Sequence, residues 1–139
     1  MNLKDKPENT LTSFQLEKML YLHSLWLKGD NLNGRRCDFT GADLSGLDLT
    51  HRNLNGAVFR GADLRFANLK YSTFGFADFT DADLSGADLR FANLHGAVIF
   101  NTNLLSAEVF STNFTKAELE EAAVGRRPYF GGDLPAGCA

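Results

Sequence analysis

From Phe39 to Leu119 every fifth residue is Leu, Phe, Ile or Val, and the register holds without a slip through seventeen consecutive pentads spanning residues 37–121. An α-helix advances ~100° per residue, so an apolar residue every five positions would spread around the whole cylinder and leave no face to bury. A flat strand alternates sides with period two, so an odd repeat sends successive large side chains to opposite faces. The pattern becomes self-consistent only if the chain turns a corner in each pentad and wraps a shared interior. That arrangement is a solenoid.

A second periodicity fixes the size of one coil. Phe39, Phe59 and Phe79 stand twenty residues apart and are continued by Ile99 and Leu119. Leu44, Leu64, Leu84 and Leu104 form the next column, and Leu49, Leu69, Leu89 and Val109 the third. The fourth alternates Leu54, Phe74, Leu94 and Phe114. Four pentads therefore close one coil, and the slot two residues before each centre, mostly Ala, faces the same interior. The position two residues after the centre often holds Gly (Gly41, Gly46, Gly56, Gly61, Gly86, Gly96), as a corner requires. The residue just before the centre is usually Asp or Asn, which points outward and can hydrogen-bond nearby backbone groups. The regular pattern is interrupted at Leu47 and Arg52, which replace the small interior residue in the first coil and predict either an irregular coil or an outward-turned Arg52. Thr102 and Thr112 are milder departures in the same slot, and Val58 and Val98 replace the usual Asp or Asn.

Pentads such as ADLSG, ANLKY, ADLRF and ANLHG resemble the A(D/N)LXX signature of the pentapeptide-repeat family over residues 37–121. The resemblance implies an all-β solenoid, a right-handed quadrilateral (four-sided) β-helix of about four coils; the handedness comes from the resemblance alone. A leucine-rich repeat fits poorly, because the Leu44, Leu47, Leu49 core is followed by Arg52 where Asn belongs and does not recur. The chain divides into an N-terminal segment with a capping helix (1–36), the repeat block (37–121) and a C-terminal tail (122–139).

Both ends of a solenoid expose apolar interior and need covers. Thr12 and Gln15 form a capping box flanked by Leu11 and Leu16, which predicts a helix starting near Ser13. Leu16, Met19, Leu20, His23 and Leu27 recur at helical spacing, and Gly29 supplies a stop. This helix should lie over the first coil; a partner-binding helix is the sharper alternative, because its apolar face is wide. At the other end Phe100, Leu105 and Phe110 stand where earlier coils carry Thr, Ser, Arg or Lys. Either the tail folds back, using Val124, Tyr129 and Phe130, or two molecules meet there. Family members often dimerise through this end, so a homodimer is the expectation the resemblance favours.

Composition narrows the function classes. Cys37 occupies a small interior slot and Cys138 lies in the tail, so no disulfide framework is expected. His23, His51 and His95 form no ligand-like cluster and read as solvated or packed side chains; no metal or cofactor is called for. Without a signal-like apolar run or a membrane-length stretch, the expected location is cytoplasmic, with no membrane partner. The repeat block carries twelve Asp and Glu against six Lys and Arg, which disfavours direct nucleic-acid binding.

Three functional readings remain. Asp43, Asp63 and Asp83 stack at ~5 Å like the carboxylates of a β-helical polysaccharide-cleaving enzyme, but they are the repeat's own polar residues and no cleft, nucleophile or metal set accompanies them. The resemblance extends to quinolone-resistance members that bind DNA gyrase through a duplex-like acidic surface. Here the columns Asp43, Asp63, Asp83 and Asp48, Asp88, Glu108 would supply it. The net charge of the repeat block, minus six, is half the roughly twelve of ~20 Å of duplex. Arg60, Arg65, Lys70 and Arg90 interrupt the surface. The third reading is a non-catalytic scaffold that binds a protein partner, with Phe66, Tyr71, Phe76 and Phe91 at the corners as an aromatic strip.

Overall fold

The computed structural model describes residues 10–122. Every pentad of the repeat contributes one side of a four-sided coil, and parallel bridges join residues twenty apart, from Asp38 with Val58 to Val98 with Glu118. Each side carries one bridged residue per coil, flanked by turns, so the described residues form ladders of single bridges and no longer strands. Faces 1 to 4 are named here by their columns of central residues, those of Phe59, Leu64, Leu69 and Phe74. Corners 1 to 4 follow them.

The five-residue unit is explained by where its backbone N–H groups go. In the pentad Ala62 to Phe66, the Ala62 N–H donates to Phe59 O at 3.1 Å, closing the preceding turn. Asp63 N–H donates to Ala42 O in the coil below at 2.9 Å, and Leu64 N–H to Asp83 O in the coil above at 2.8 Å. Phe66 N–H reaches Ser85 O at 3.1 Å. Only the Arg65 N–H lacks a backbone acceptor, and the Asp63 carboxylate takes it at 3.1 Å. All five donors are satisfied, as a buried or stacked backbone requires. The same side-chain acceptor recurs at Asp38, Asp43, Asp48, Asn93 and Asn113, which is the physical reason for Asp or Asn before the centre. Where Thr73 stands instead, Asn55 of the coil below supplies the acceptor to Gly75 N–H at 2.7 Å.

The core is the predicted set of columns. Phe59 and Phe79 lie parallel with ring centroids 4.8 Å apart, and Phe39 continues the stack at 5.2 Å. Phe74 meets both Phe59 and Phe79 edge-on. The leucine columns are fully buried beside them. Departures in the small slot are satisfied by hydroxyls that reach down to the coil below: Ser72 Oγ donates to Leu49 O, Thr102 Oγ1 to Phe79 O and Thr112 Oγ1 to Leu89 O. The first coil keeps its bridges at Asp48 and Asn53. Of the two alternatives at Arg52, the outward turn is the one adopted: its guanidinium meets Glu17 at 2.9 Å.

Helix α1 (Ser13–Leu27) begins with the complete Thr12–Gln15 capping box, and Gly29 follows its C-cap at φ 87°. It buries Leu16, Leu20 and His23 against the first coil. His23 bolts the two parts together. The Cys37 N–H donates to its Nδ1 at 2.9 Å, so the ring proton sits on Nε2 and donates to Asn55 O at 3.0 Å. Thr10, ahead of the helix, adds a bridge to Asp43 that the sequence pattern did not announce. Val124, Tyr129, Phe130 and Cys138 lie outside the described residues.

Candidate functional site

Most corners are turns closed by a hydrogen bond from the following small residue, with the third residue at positive φ, the geometry of a type II turn; at His51 the following Arg52 N–H goes to Ser72 Oγ instead. Glycine enters that region freely, whereas a side chain there costs ~1–2 kcal/mol. Phe66 (φ 58°), Tyr71 (60°), Phe76 (57°) and Phe91 (61°) all adopt it. They are also 73%, 50%, 70% and 47% exposed, so burial does not offset the strain.

Of the four residues of the expected strip, the structure brings Tyr71 and Phe91 together, leaves Phe66 and Phe76 at separate corners, and adds two other members to the Tyr71–Phe91 pair. Tyr71 and Phe91, at corner 3, stack at 5.2 Å with planes 5° apart. His51 extends the stack at 4.9 Å on the Tyr71 side, and Phe110 meets Phe91 edge-on at 5.8 Å. The ladder thus runs the length of the rod. His51, expected as a solvated or packed side chain, is packed on Tyr71 in this ladder, and its twenty-residue spacing from Tyr71 was the available signal. Phe110, grouped by sequence with the C-terminal end, also belongs here; Phe100 and Leu105 remain exposed at the last coil.

Phe66 and Phe76, at corners 2 and 4, use glycine differently. Their rings occupy the space that a Cβ at Gly86 or Gly96 would fill, with contacts of 2.5 and 2.4 Å. Trp26 covers Gly56 in the same way from α1. Gly96→Ala is therefore expected to cost more than Gly61→Ala, where both carry positive φ but a Cβ at Gly61 meets nothing. The excess should vanish in a Phe76→Ala background. Chemical denaturation of the four variants checks this, and equal costs in both backgrounds would remove the ring-on-glycine contact.

The acidic columns are less free than their sequence implies. Arg65 reaches back to its own Asp63 with two bonds of 2.9 and 2.7 Å, and this pairing holds the Asp63 carboxyl below the usual carboxylate range. Arg90 does the same to Asp88 and bridges to Glu108 at 3.1 Å, again lowering the Asp88 carboxyl. The Thr50 backbone and hydroxyl groups lower Asp48. Asp43 and Asp83 are capped by Ser45 and Ser85. Strongly ionised, internally paired carboxylates are poor general acids. Among the described residues no group of three or more His, Cys, Asp and Glu is placed to hold a metal, and no helix is long and apolar enough to cross a membrane. Burial pushes the Cys37 thiol up to about 12, which makes it a packing residue and a poor nucleophile. A groove of about 590 Å³ lies between α1 and corner 3, lined by Leu20, Tyr21, Leu27, His51 and Arg52 among others.

The four-sided coil, its capped backbone and its stacked centres coincide with a known family profile. That of Pentapeptide repeats matches in eight copies, at residues 30–51, 42–75 and 77–115. The chain belongs to the pentapeptide-repeat family. Among solved structures it is similar to alr5209, a pentapeptide repeat protein from Nostoc PCC 7120, with 29% identity, 78% of each chain covered and a TM-score of 0.59. It also matches the pentapeptide repeat protein Rfr23 from the cyanobacterium Cyanothece 51142 (20% identity, 77% of this chain and 93% of that one, TM-score 0.45). A third match is QnrB1, a plasmid-mediated fluoroquinolone resistance protein (22% identity, 63% and 60% covered, TM-score 0.31). No curated protein matches significantly. The family profile and the likeness to alr5209 support the quadrilateral β-helix of the family, which as a class is generally non-catalytic.

Proposed function

We propose that this pentapeptide-repeat chain is a non-catalytic scaffold, a right-handed rod of about four coils that binds a protein partner in the cytoplasm through its aromatic corners. One observation carries the reading: four large aromatic side chains stand in left-handed backbone, where Gly would be less strained, and remain exposed. Exposed aromatics on a rigid support are the usual anchors of protein interfaces, because little entropy is lost when they dock. Phe100 and Leu105 are assigned to a homodimer or cap contact at the last coil.

The duplex-mimic alternative, with a type II topoisomerase as partner, has weaker support. It needs uninterrupted acidic columns, and Arg65 pairs with Asp63 while Arg90 is shared between Asp88 and Glu108, so the columns are interrupted from within.

Affinity capture with the intact chain, followed by titration of the captured partner, tests the scaffold. Tyr71→Ala with Phe91→Ala should weaken binding by roughly tenfold to a hundredfold, as loss of interface anchors does. Because both residues are exposed, the fold should survive. Undiminished affinity of the double variant would remove the aromatic surface as the binding site.

A further inference from the structure

Charge is distributed unevenly around the rod. The outward columns carry Asp38, Asp78 and Glu118 on face 1, Asp43, Asp63 and Asp83 on face 2, and Asp48, Asp88 and Glu108 on face 3. Face 4 carries Asn53, Thr73, Asn93 and Asn113 and has no ionised group in that column. Arg52 beside it is turned to Glu17, and Lys116 stands only at the far corner.

The amides of face 4 are oriented by the backbone. Asn53 Oδ1 accepts from Asn55 N–H at 3.2 Å and from the Thr73 hydroxyl at 3.0 Å. Asn93 Oδ1 accepts from His95 N–H at 3.0 Å, and Asn113 Oδ1 from Thr115 N–H at 2.9 Å. Since only the oxygen can accept an N–H, each NH2 group is the end left over, and none donates to another of the described residues. The result is a column of aligned amide donors at Asn53, Asn93 and Asn113, in register with the coils and spanning about 14 Å at ~4.8 Å per coil. Aromatic side chains flank the column, as the Tyr71 ladder along corner 3 and as the single ring of Phe76, packed on Gly96 and edge-on to His95, at corner 4.

We propose that face 4 is a binding surface for a neutral, linear oligosaccharide laid along the rod axis. Uncharged amide donors complement sugar hydroxyl oxygens, whereas they offer no counter-charge to an anionic chain. The apolar faces of pyranose rings are suited to rest against aromatic side chains, and with one ring per coil the sugars over Asn53, Asn93 and Asn113 each meet an amide donor, while the one over Thr73 does not. The surface shares its aromatic edges with the protein-binding reading above, and the amide column is what sets it apart.

The test uses the intact chain titrated calorimetrically with cellohexaose, laminarihexaose and maltohexaose, with hexagalacturonate as an anionic control. At least one neutral hexasaccharide should bind with Kd below ~1 mM, and the control should not. Replacing the column by Asn53→Asp, Asn93→Asp and Asn113→Asp should weaken that binding roughly tenfold or more. The fold should be kept, because Asp already fills this slot and makes the same cap at Asp43 and Asp48. Phe76→Ala should weaken it as well. Silence of all three neutral oligosaccharides, including the case where only a protein ligand binds, overturns the proposal. So does a triple Asp variant that folds and binds as the parent does.

Discussion

Phe79→Ala is expected to destabilise the chain by about 3–5 kcal/mol, the range for removing a fully buried phenylalanine from a core that cannot collapse around the gap. The reason lies in the backbone around it. Phe79 is fully buried, parallel to Phe59 at 4.8 Å and edge-on to Phe74 at 5.6 Å. Its own N–H is bonded to Val98 O at 2.8 Å and its carbonyl accepts from both Ala82 N–H and the Thr102 hydroxyl. With the coils above and below clamped in this way, neighbouring side chains have little freedom to fill the void. The comparison that isolates the effect is Phe76→Ala, three residues earlier and 70% exposed, which should change stability by less than about 0.5 kcal/mol apart from its glycine contact. Urea denaturation of both variants decides it. Similar midpoints would mean that the stack is not what holds the coils together.

His23→Leu is expected to cost about 2–4 kcal/mol, since it leaves the Cys37 N–H and Asn55 carbonyl without their partner and buried unsatisfied groups cost ~1–3 kcal/mol each. The same contact makes the cap sensitive to acid. Burial is the main cause that lowers the His23 pKa from its ordinary value; the Arg36 charge adds to it, and the hydrogen bond to Asn55 opposes it. With the folded pKa below the unfolded value of about 6.5, the unfolded chain takes up the proton more readily. The stabilisation is therefore complete above pH 6.5 and is lost as pH falls through the folded value. Protonation would also turn Nδ1 from an acceptor into a donor facing the Cys37 N–H. Trp26 is the single tryptophan and rests on Gly56, so its fluorescence reports docking of the helix on the first coil. Between pH 7.5 and pH 5.5, about one unit either side of 6.5, the melting temperature followed by Trp26 should fall, and His23→Gln should flatten that slope. An identical pH slope in parent and variant would acquit His23.

These outcomes show how far the chain is legible without coordinates. The period of five excluded a helix and a flat sheet, the period of twenty placed Phe59 beneath Phe79, and the Thr12–Gln15 pair marked the start of α1, because each is a local rule that repeats or terminates in sequence. The role of His23 was not legible: its partners, Cys37 and Asn55, are separated from it by fourteen and thirty-two residues and belong to different sides of the coil. Arg52 looked like a fault in the first coil, and only the position of Glu17 on the packed helix explains its outward turn. His51 and Phe110 carried the right spacing or composition, yet their membership in the ladder depends on how stacked corners aim their side chains.

What residues alone determined was the four-sided coil and its interior, since burying one apolar residue per pentad and satisfying every backbone donor leaves a single repeating solution. What only the tertiary structure decided was the surface. Arginines that fold back on their own aspartates, rings that sit over glycines one coil away, and amides whose oxygens are claimed by the backbone are all settled by neighbours twenty residues distant or within the same turn. Spacing brings such partners within reach, but which of the possible contacts each side chain makes is decided by the packed turn and the coils beside it.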